Sequence, residues 1–267
     1  RHCHMFILCL FHCIAKLSAT FANLTICYNA CISSCRLSQQ MEEFMRRERI
    51  ADDIYVFISD RYAQVTMGIV ATEAGAIAID TLPFPEETRQ VLDFVEAKFK
   101  QSVRYVINTH HHADHIYGTY LFEEAQVIAH HDCREALIRL GPQSLRRAKQ
   151  ENPELAEVEI LLPDMTFGHE LYVHLGQRTL HLMHAPGHTD DSVIVMVEGD
   201  KILFAGDLIM PVPYIVWGNR ERFIESLRFV QKLRPESVVQ GHGDILLRGE
   251  LRQDLRESIR YLNTIYE

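Results

Sequence analysis

The amino-acid sequence predicts a domain that combines β-strands with α-helices. Its 267 residues are 47% hydrophobic and 24% charged, which suits one domain with a sizeable core. Short apolar runs bounded by turn residues predict strands, and longer runs with an apolar residue every three or four positions predict helices. No linker divides the body of the chain, so we expect residues 41–267 to form a single domain.

The first half is predicted to hold three antiparallel strands, then a helix, then further strands. Pro85 opens the helix, and Glu86 and Glu87 lie in its first turn, where they complement the helix dipole. Residues 131–157 have a helical pattern that we expect Pro142 and Pro153 to break. The predicted strands cover 53–59, 65–71, 76–80, 103–107 and 127–129.

The second half is predicted to begin with four strands in succession. Asn219 is expected to cap a helix that ends at Leu233, since asparagine is a preferred N-cap residue. An apolar stripe from Leu251 to Leu262 predicts the last helix. The predicted strands cover 171–175, 179–184, 192–197, 201–205 and 237–240.

The charge of the chain excludes several classes of partner. A net charge of −9 and the lack of a basic stripe argue against nucleic acid. The sequence has no run of 18 uninterrupted apolar residues, so it predicts no membrane-spanning helix. We therefore expect a small-molecule substrate and neither nucleic acid nor a membrane as partner, with a homodimer left open.

The first forty residues differ from the rest in composition. They contain no Asp or Glu, and six of the seven cysteines lie in the first 35 residues, leaving only Cys133 in the body. A weak signal peptide and a Cys/His metal knuckle are two interpretations; the third, which we favour, is an extension outside the fold. The cysteine-poor body fits a reducing compartment, so a cytoplasmic location is expected.

Most of the candidate functional side chains lie in residues 109–115, where four histidines and one aspartate occupy six positions. Each buried imidazole requires its own polar partner, so four histidines this close together are not expected in an ordinary hydrophobic core. Neutral imidazole and carboxylate are instead the preferred non-sulfur ligands of zinc. The stretch therefore predicts one wall of a metal site.

Three more candidate ligands, His188, Asp207 and His242, follow other predicted strands, and each lies next to glycine. Strand ends along one sheet edge are where ligands converge, so all four segments are expected to meet. A three-histidine site with an open fourth position is expected from His110, His112 and His188. A second site is expected from Asp114, His115 and His242, with Asp207 bridging the two.

These residues resemble the motifs of the metallo-β-lactamase-fold superfamily: HxHxDH, a glycine-histidine, an aspartate and a last histidine, in that order. The resemblance covers about residues 50–265. It implies an α+β fold, specifically an αββα sandwich of two facing mixed sheets with helices outside. It also implies a dinuclear metal site at one sheet edge, with two Zn²⁺ ions as the expected cofactor and Fe or Mn as alternatives.

Departures from particular branches narrow the expected activity. Subclass B1 β-lactamases carry cysteine where this chain has Asp207, and usually lysine where it has Met210, so we expect at most weak promiscuous β-lactamase activity. Flavodiiron members carry glutamate at the position of His112. Only 25 residues follow His242, too few for the C-terminal domain of glyoxalase II members. What remains is a hydrolase of an ester, lactone, thioester or related carbonyl.

The expected mechanism is attack of a metal-bound hydroxide on that carbonyl. Asp114 is expected to bind the second ion and to accept a proton. Tyr214 is a candidate catalytic residue whose hydroxyl would assist an oxyanion, and Trp217 is a candidate pocket wall. The alternative interpretation of both aromatics is partly buried packing. His111 is expected not to bind metal.

Two other functions stay open on the sequence. One is a mononuclear-iron oxidoreductase similar to persulfide dioxygenases, which resemble this fold. The other is a non-catalytic metal-binding protein. Asp244 is expected to be a turn or orienting carboxylate, and support of the metal-binding His242 is the alternative role for it.

Overall fold

Two mixed β-sheets face each other in residues 45–265, the part of the chain that this computed structural model describes. The first sheet has seven strands in sequential order, β1–β4 antiparallel and β4–β7 parallel. Its strands are β1 (Met45–Ala51), β2 (Ile54–Ser59), β3 (Thr66–Thr72), β4 (Gly75–Ile79), β5 (Val103–Ile107), β6 (Gln126–His130) and β7 (Met165–Phe167). The predicted extension, residues 1–40, falls outside the described residues and stays a prediction.

The second sheet has six strands in the order β13-β12-β11-β10-β9-β8, of which β11 and β12 are parallel. The strands are β8 (Glu170–Leu175), β9 (Arg178–His184), β10 (Val193–Val197), β11 (Ile202–Phe204), β12 (Ser237–Val239) and β13 (Leu246–Leu247). The helices are α1 (Pro85–Phe99), α2 (Ala113–Ile116), α3 (His131–Glu151), α4 (Arg220–Leu233) and α5 (Arg248–Thr264).

Apolar clusters between the sheets and on their outer faces hold the sheets and helices together. Side chains such as Val56 and Leu182 form the core between the sheets. Val91 of α1 belongs to the layer on the outer face of the first sheet, and Phe223 of α4 and Leu255 of α5 belong to that on the second. Helices therefore cover both outer faces, and the predicted αββα fold is confirmed.

Helix ends follow the local chemistry of the sequence. α1 begins at Pro85, whose missing N–H costs nothing in a first turn. The side chain of Asn219 accepts a hydrogen bond from the backbone N–H of Arg222 at 3.0 Å, so the predicted cap of α4 is confirmed.

The expected break at Pro142 is wrong, because α3 runs through it as one helix of 21 residues. Gly141 precedes the proline and has no Cβ to clash with the proline ring, which removes much of the usual penalty. The carbonyl that loses its hydrogen bond belongs to Ile138, which is exposed, so water can reach that turn. Among residues 45–265, no helix is long and apolar enough to cross a membrane.

Candidate metal centre

The ends of four strands bring the seven predicted ligands to one edge of the sandwich. β5 leads directly into the segment that carries His110 to His115, and the loops after β9, β11 and β12 carry the other three. Backbone hydrogen bonds tie these loops across the two sheets: Val193 N–H donates to Thr109, and Thr66 N–H donates to Gly241. The edge is thus a junction fixed by both sheets.

The first group of ligands brings together three imidazoles and one carboxylate. Their candidate ligand atoms all lie within 4.8 Å of one another. Nε2 of His188 is 3.0 Å from Nδ1 of His112 and 3.3 Å from Oδ2 of Asp207. The members are His110, His112, His188 and Asp207.

A second group, Asp114, His115 and His242, lies beside the first. Asp207 faces both groups with different oxygens. Its Oδ1 is 3.1 Å from Nε2 of His115 and 3.4 Å from Nε2 of His242, whereas its Oδ2 faces the first group. The carboxylate of Asp207 therefore stands between two clusters of ligand atoms.

The opposite nitrogen of each of four histidine rings has a fixed partner. His188 donates through Nδ1 to the backbone carbonyl of Tyr214, and His242 donates through Nδ1 to that of Ala63 at 2.9 Å. Nδ1 of His115 lies 2.9 Å from Oδ2 of Asp80, and Nδ1 of His110 lies 3.1 Å from Oγ1 of Thr109. These contacts orient the rings so that Nε2 faces the ligand groups.

Asp80 is a site residue that the sequence analysis missed. Its buried carboxylate accepts hydrogen bonds from the backbone N–H and the hydroxyl of Thr109, both at 2.7 Å, in addition to that from His115. The residue follows β4, which pairs in parallel with β5, so its side chain reaches the same edge. Its position directly after an apolar strand was the signal that could have found it.

Burial and neighbouring charges shift the pKa values of the histidines at the site in different directions. Burial lowers the pKa of His188 and lowers that of His112 to about 3, so both imidazoles are neutral at physiological pH. Burial also acts on His242, but the hydrogen bonds that it donates to the carboxylates of Asp114 and Asp207 outweigh burial and raise its pKa to about 9. The second group therefore holds a proton that a metal ion would displace.

Several buried atoms of the site lack any hydrogen-bond partner. They include Nε2 of His110 and Nε2 of His112. Nδ1 of His112 faces another ring nitrogen, Nε2 of His188, at 3.0 Å. Buried polar atoms are normally paired, so ring nitrogens that face one another beside the Asp207 carboxylate fit a bound cation. The residues present thus fit the metal ions that the predicted site requires.

Glycine lets the backbone approach this site closely. A Cβ placed on Gly241 would lie 1.9 Å from Oδ1 of Asp207, so no other residue fits there without displacing that carboxylate. Gly206, next to Asp207, has a φ of +48°, which favours glycine. Glycine is therefore required at Gly241 by the close approach of the carboxylate and favoured at Gly206 by the backbone conformation.

Two neighbouring polar residues contact other partners. Nδ1 of His111 lies 2.8 Å from Oδ1 of Asp191, and His111 belongs to neither ligand group. The alternative role of Asp244 as the support of His242 is wrong, because Asp244 pairs with Arg46 while His242 donates to the Ala63 carbonyl. A main-chain oxygen therefore orients His242, and no carboxylate is needed behind it.

The predicted aromatic residues lie on the loop that follows Asp207. Tyr214 and Trp217 are 65% and 69% exposed, so the interpretation of both as partly buried packing residues is wrong. The backbone of Tyr214 holds His188, whereas the role of its hydroxyl stays a prediction. Trp217 lines a cleft that also borders His112.

A third group of potential ligands, His130, His131 and Asp132, lies at the end of β6. Both nitrogens of His130 are engaged, Nε2 with the Gly168 carbonyl at 2.7 Å and Nδ1 with the Asp132 backbone N–H at 3.2 Å. His130 therefore acts as a helix cap and a loop anchor, and this group does not add to the site.

An αββα sandwich with this cluster of histidines and aspartates at its edge defines a metal-binding class of protein. A sequence profile described as the metallo-beta-lactamase superfamily matches residues 61–242, more than half of the chain. The chain belongs to the metallo-beta-lactamase superfamily, as predicted.

Curated relatives and solved structures agree with this assignment. The chain is 30% identical to acyl-coenzyme A thioesterase MBLAC2 of Bos taurus, in a match that covers 51% of this chain and 54% of the relative. It is 29% identical to the hydroxyacylglutathione hydrolase of Bdellovibrio bacteriovorus, over 71% of this chain and 63% of the relative. The match thus spans about half the length of the first of these relatives and less than two thirds of the second.

The fold likeness to solved structures extends further along the chain. The metallo-beta-lactamase TMB-1 superposes with a TM-score of 0.65 at 20% identity, covering 84% of this chain and 99% of that one. A metallo-beta-lactamase from Pontibacter korlensis superposes with a TM-score of 0.63 at 21% identity, over 82% and 99%. At these identities the likeness concerns the fold alone.

Proposed function

We propose that this protein is a dinuclear zinc hydrolase that cleaves an acyl thioester, ester or lactone. The observation that carries the proposal is the position of Asp207, whose two carboxylate oxygens face two separate groups of histidine nitrogens. One carboxylate shared by two ligand groups suits two adjacent cations, the arrangement that stabilises both oxygens of a hydrolytic displacement.

The two groups of neighbouring ligand atoms indicate which residues would hold each ion. The first ion would be held by His110, His112 and His188, the second by Asp114, His115 and His242, with Asp207 between them. Histidine-rich sets suit Zn²⁺ better than Mg²⁺ or Ca²⁺, with Fe and Mn as alternatives. When bound, the ions would supply Lewis acidity and lower the pKa of water.

Asp114 has a second role in this proposal, as the acceptor of a proton. Burial raises its pKa, but the charges of His115 and the hydrogen bond from His242 outweigh burial and hold the pKa below its ordinary value. The side chain is therefore ionised at neutral pH, as a proton acceptor must be. It is also only partly buried, so a reacting molecule can reach it.

Two relatives support a substrate of the acyl thioester class, since they are named acyl-coenzyme A thioesterase and hydroxyacylglutathione hydrolase. Both names describe small-molecule substrates with a carbonyl at the point of cleavage. A cytoplasmic location and a homodimer remain predictions.

The test is a panel assay on protein of measured metal content, with thioesters, lactones, phosphoesters and β-lactams. We expect turnover of a thioester, ester or lactone, and Asp114→Ala should lower it by about 100-fold or more while unfolding stays cooperative. Asp132→Ala, an exposed aspartate on α3, is the matched control. Full activity of Asp114→Ala would refute the mechanism, and one iron per chain would favour the oxidoreductase alternative.

A further inference from the structure

A cleft of about 350 Å³ opens beside the metal centre, between α3 and the loop that carries Trp217. This volume is at the lower end of the range for small-molecule pockets. His112 forms part of its wall, so the cleft runs directly up to the candidate ligands. An occupant of the cleft would therefore have one end at the reacting centre.

The wall of the cleft is mostly apolar. Leu137, Leu140 and Gly141 of α3 line it, together with Ile116 and Ile160. Leu137 and Ile116 belong to a packed layer beneath, which gives the cleft a fixed floor. Such a surface favours hydrocarbon over a charged or strongly hydrated group.

Polar groups lie on only part of the lining. Ser144 and Arg147 come one and two turns further along α3 than Leu140. Arg147 is the only Lys or Arg side chain among the lining residues; it is 80% exposed and is paired with Glu151 at 2.7 Å. Its charge is thus already solvated. His111, Tyr117 and Gln143 add further polar groups to the lining, but no carboxylate and no second Lys or Arg.

We propose that this cleft binds the acyl chain of a linear acyl thioester and that Leu140, Gly141 and Ile160 set the chain length. This inference rests on the proposed function and names the substrate class for the same site. The apolar wall takes the hydrocarbon, and the border with His112 places the carbonyl end at the ligand groups. The thioesterase name of one relative agrees with this chemistry.

Chain length then becomes a measurable property. Each methylene that enters the cleft contributes about fourfold to kcat/KM, since a buried methylene is worth roughly 0.8 kcal/mol. The increase stops when the cleft is full. We therefore expect kcat/KM to rise steeply from the acetyl thioester and then to reach a plateau or fall.

The cleft also carries its own reporter. Trp217 is the one tryptophan of the 267-residue chain, and it lines the cleft while remaining 69% exposed. Binding of straight-chain carboxylates from butanoate to dodecanoate should shift its fluorescence to shorter wavelength, with affinity rising with chain length. This readout does not depend on turnover.

Two variants change the cleft in opposite directions. A Cβ on Gly141 would meet Ile160 at 3.5 Å, an ordinary contact, so Gly141→Leu should fill the cleft, at some cost in stability because the new Cβ precedes Pro142. It should lower the ratio of long-chain to short-chain kcat/KM by at least tenfold. Ile160→Ala removes part of the wall and should move the preferred chain length upward. The matched control is Gly249→Leu on α5, where an added Cβ has no neighbour within 4 Å and the ratio should not change.

The outcomes separate the two proposals. Turnover of thioesters with no dependence on chain length, and no effect of Gly141→Leu or Ile160→Ala, would overturn the acyl cleft while leaving the hydrolase intact. Turnover of esters or lactones but of no thioester would overturn the acyl-thioester assignment alone. Absence of turnover with every thioester, ester and lactone would refute the proposed function, and the fluorescence shift with carboxylates would still decide whether the cleft binds an alkyl chain. If Gly141→Leu fails to fold, Ile160→Ala and the fluorescence series decide alone.

Discussion

Replacing Asp80 with asparagine tests whether a residue outside the ligand set positions the metal centre. The carboxylate accepts three hydrogen bonds, two from Thr109 at 2.7 Å and one from Nδ1 of His115 at 2.9 Å. An amide of the same shape keeps one acceptor for the Thr109 N–H. Its NH₂ group, however, faces the ring N–H of His115, so two donors oppose each other.

The size of the effect follows from that lost orientation. Losing the partner that fixes a metal-binding histidine typically lowers metal affinity by about 10- to 100-fold, or roughly 1.4–2.8 kcal/mol. His115 belongs to the second group, so the binding step of that group should weaken and the other step should change little. Some loss of stability is also expected, about 1–3 kcal/mol for a buried donor left unpaired.

The assay is a zinc titration in competition with a chromophoric chelator, which resolves the two steps. Asp164→Asn is the matched control, because Asp164 also accepts a backbone N–H, from Val127 at 2.9 Å, but contacts no histidine. If Asp80→Asn binds both ions with the affinity of the unaltered protein, Asp80 does not position His115 and this account of the site is wrong.

Two further predictions concern a buried carboxyl and an exposed phenol. Burial raises the pKa of Glu87 from 4.5 to about 7 although the Ser59 hydroxyl donates to it at 2.7 Å, so the folded state retains a proton that the unfolded state releases. The free energy of unfolding should therefore fall by roughly 3 kcal/mol as pH rises from 4.5 to 7. Urea unfolding should show that Glu87→Gln removes this fall and the exposed neighbour Glu86→Gln does not; an unchanged slope in Glu87→Gln would contradict the assignment. Tyr214→Phe should lower kcat by about tenfold or more if its hydroxyl assists an oxyanion, with Tyr172→Phe on β8 as control, and an unchanged kcat would limit Tyr214 to its backbone contact with His188.

Much of the site could be predicted because its chemistry is local. Each ligand segment follows an apolar strand directly, and histidine and aspartate at close spacing have few other uses. The alternation of strands and helices likewise needs only the period of the apolar residues. Asn219 was predictable for the same reason, since an N-cap depends on its own helix.

Long-range pairing was harder to predict. Asp80 joins the site only because β4 lies parallel to β5, which no local pattern states. His242 is held by the Ala63 carbonyl, 179 residues away in sequence, so its partner could not be guessed from the nearby Asp244. β1 was not predicted because it is a charged edge strand, a type that carries little apolar pattern.

Pro142 shows a different limit. A proline predicts a break by removing one hydrogen bond, but a glycine before it and solvent around the freed carbonyl reduce the penalty. Packing of α3 along its whole length then keeps the helix continuous, through side chains such as Leu137 and Leu145 on either side of the proline. Local rules and tertiary packing compete here, and packing prevails.

Counting metal ions tests the central claim most directly. Metal-free protein titrated with Co²⁺, followed by its visible absorption and by thioester turnover, should give full activity only at two equivalents per chain. Removing the shared carboxylate with Asp207→Ala should reduce the number of tightly bound ions, because each group loses one ligand. Full activity at one equivalent, or two tight ions in Asp207→Ala, would contradict a centre bridged by Asp207.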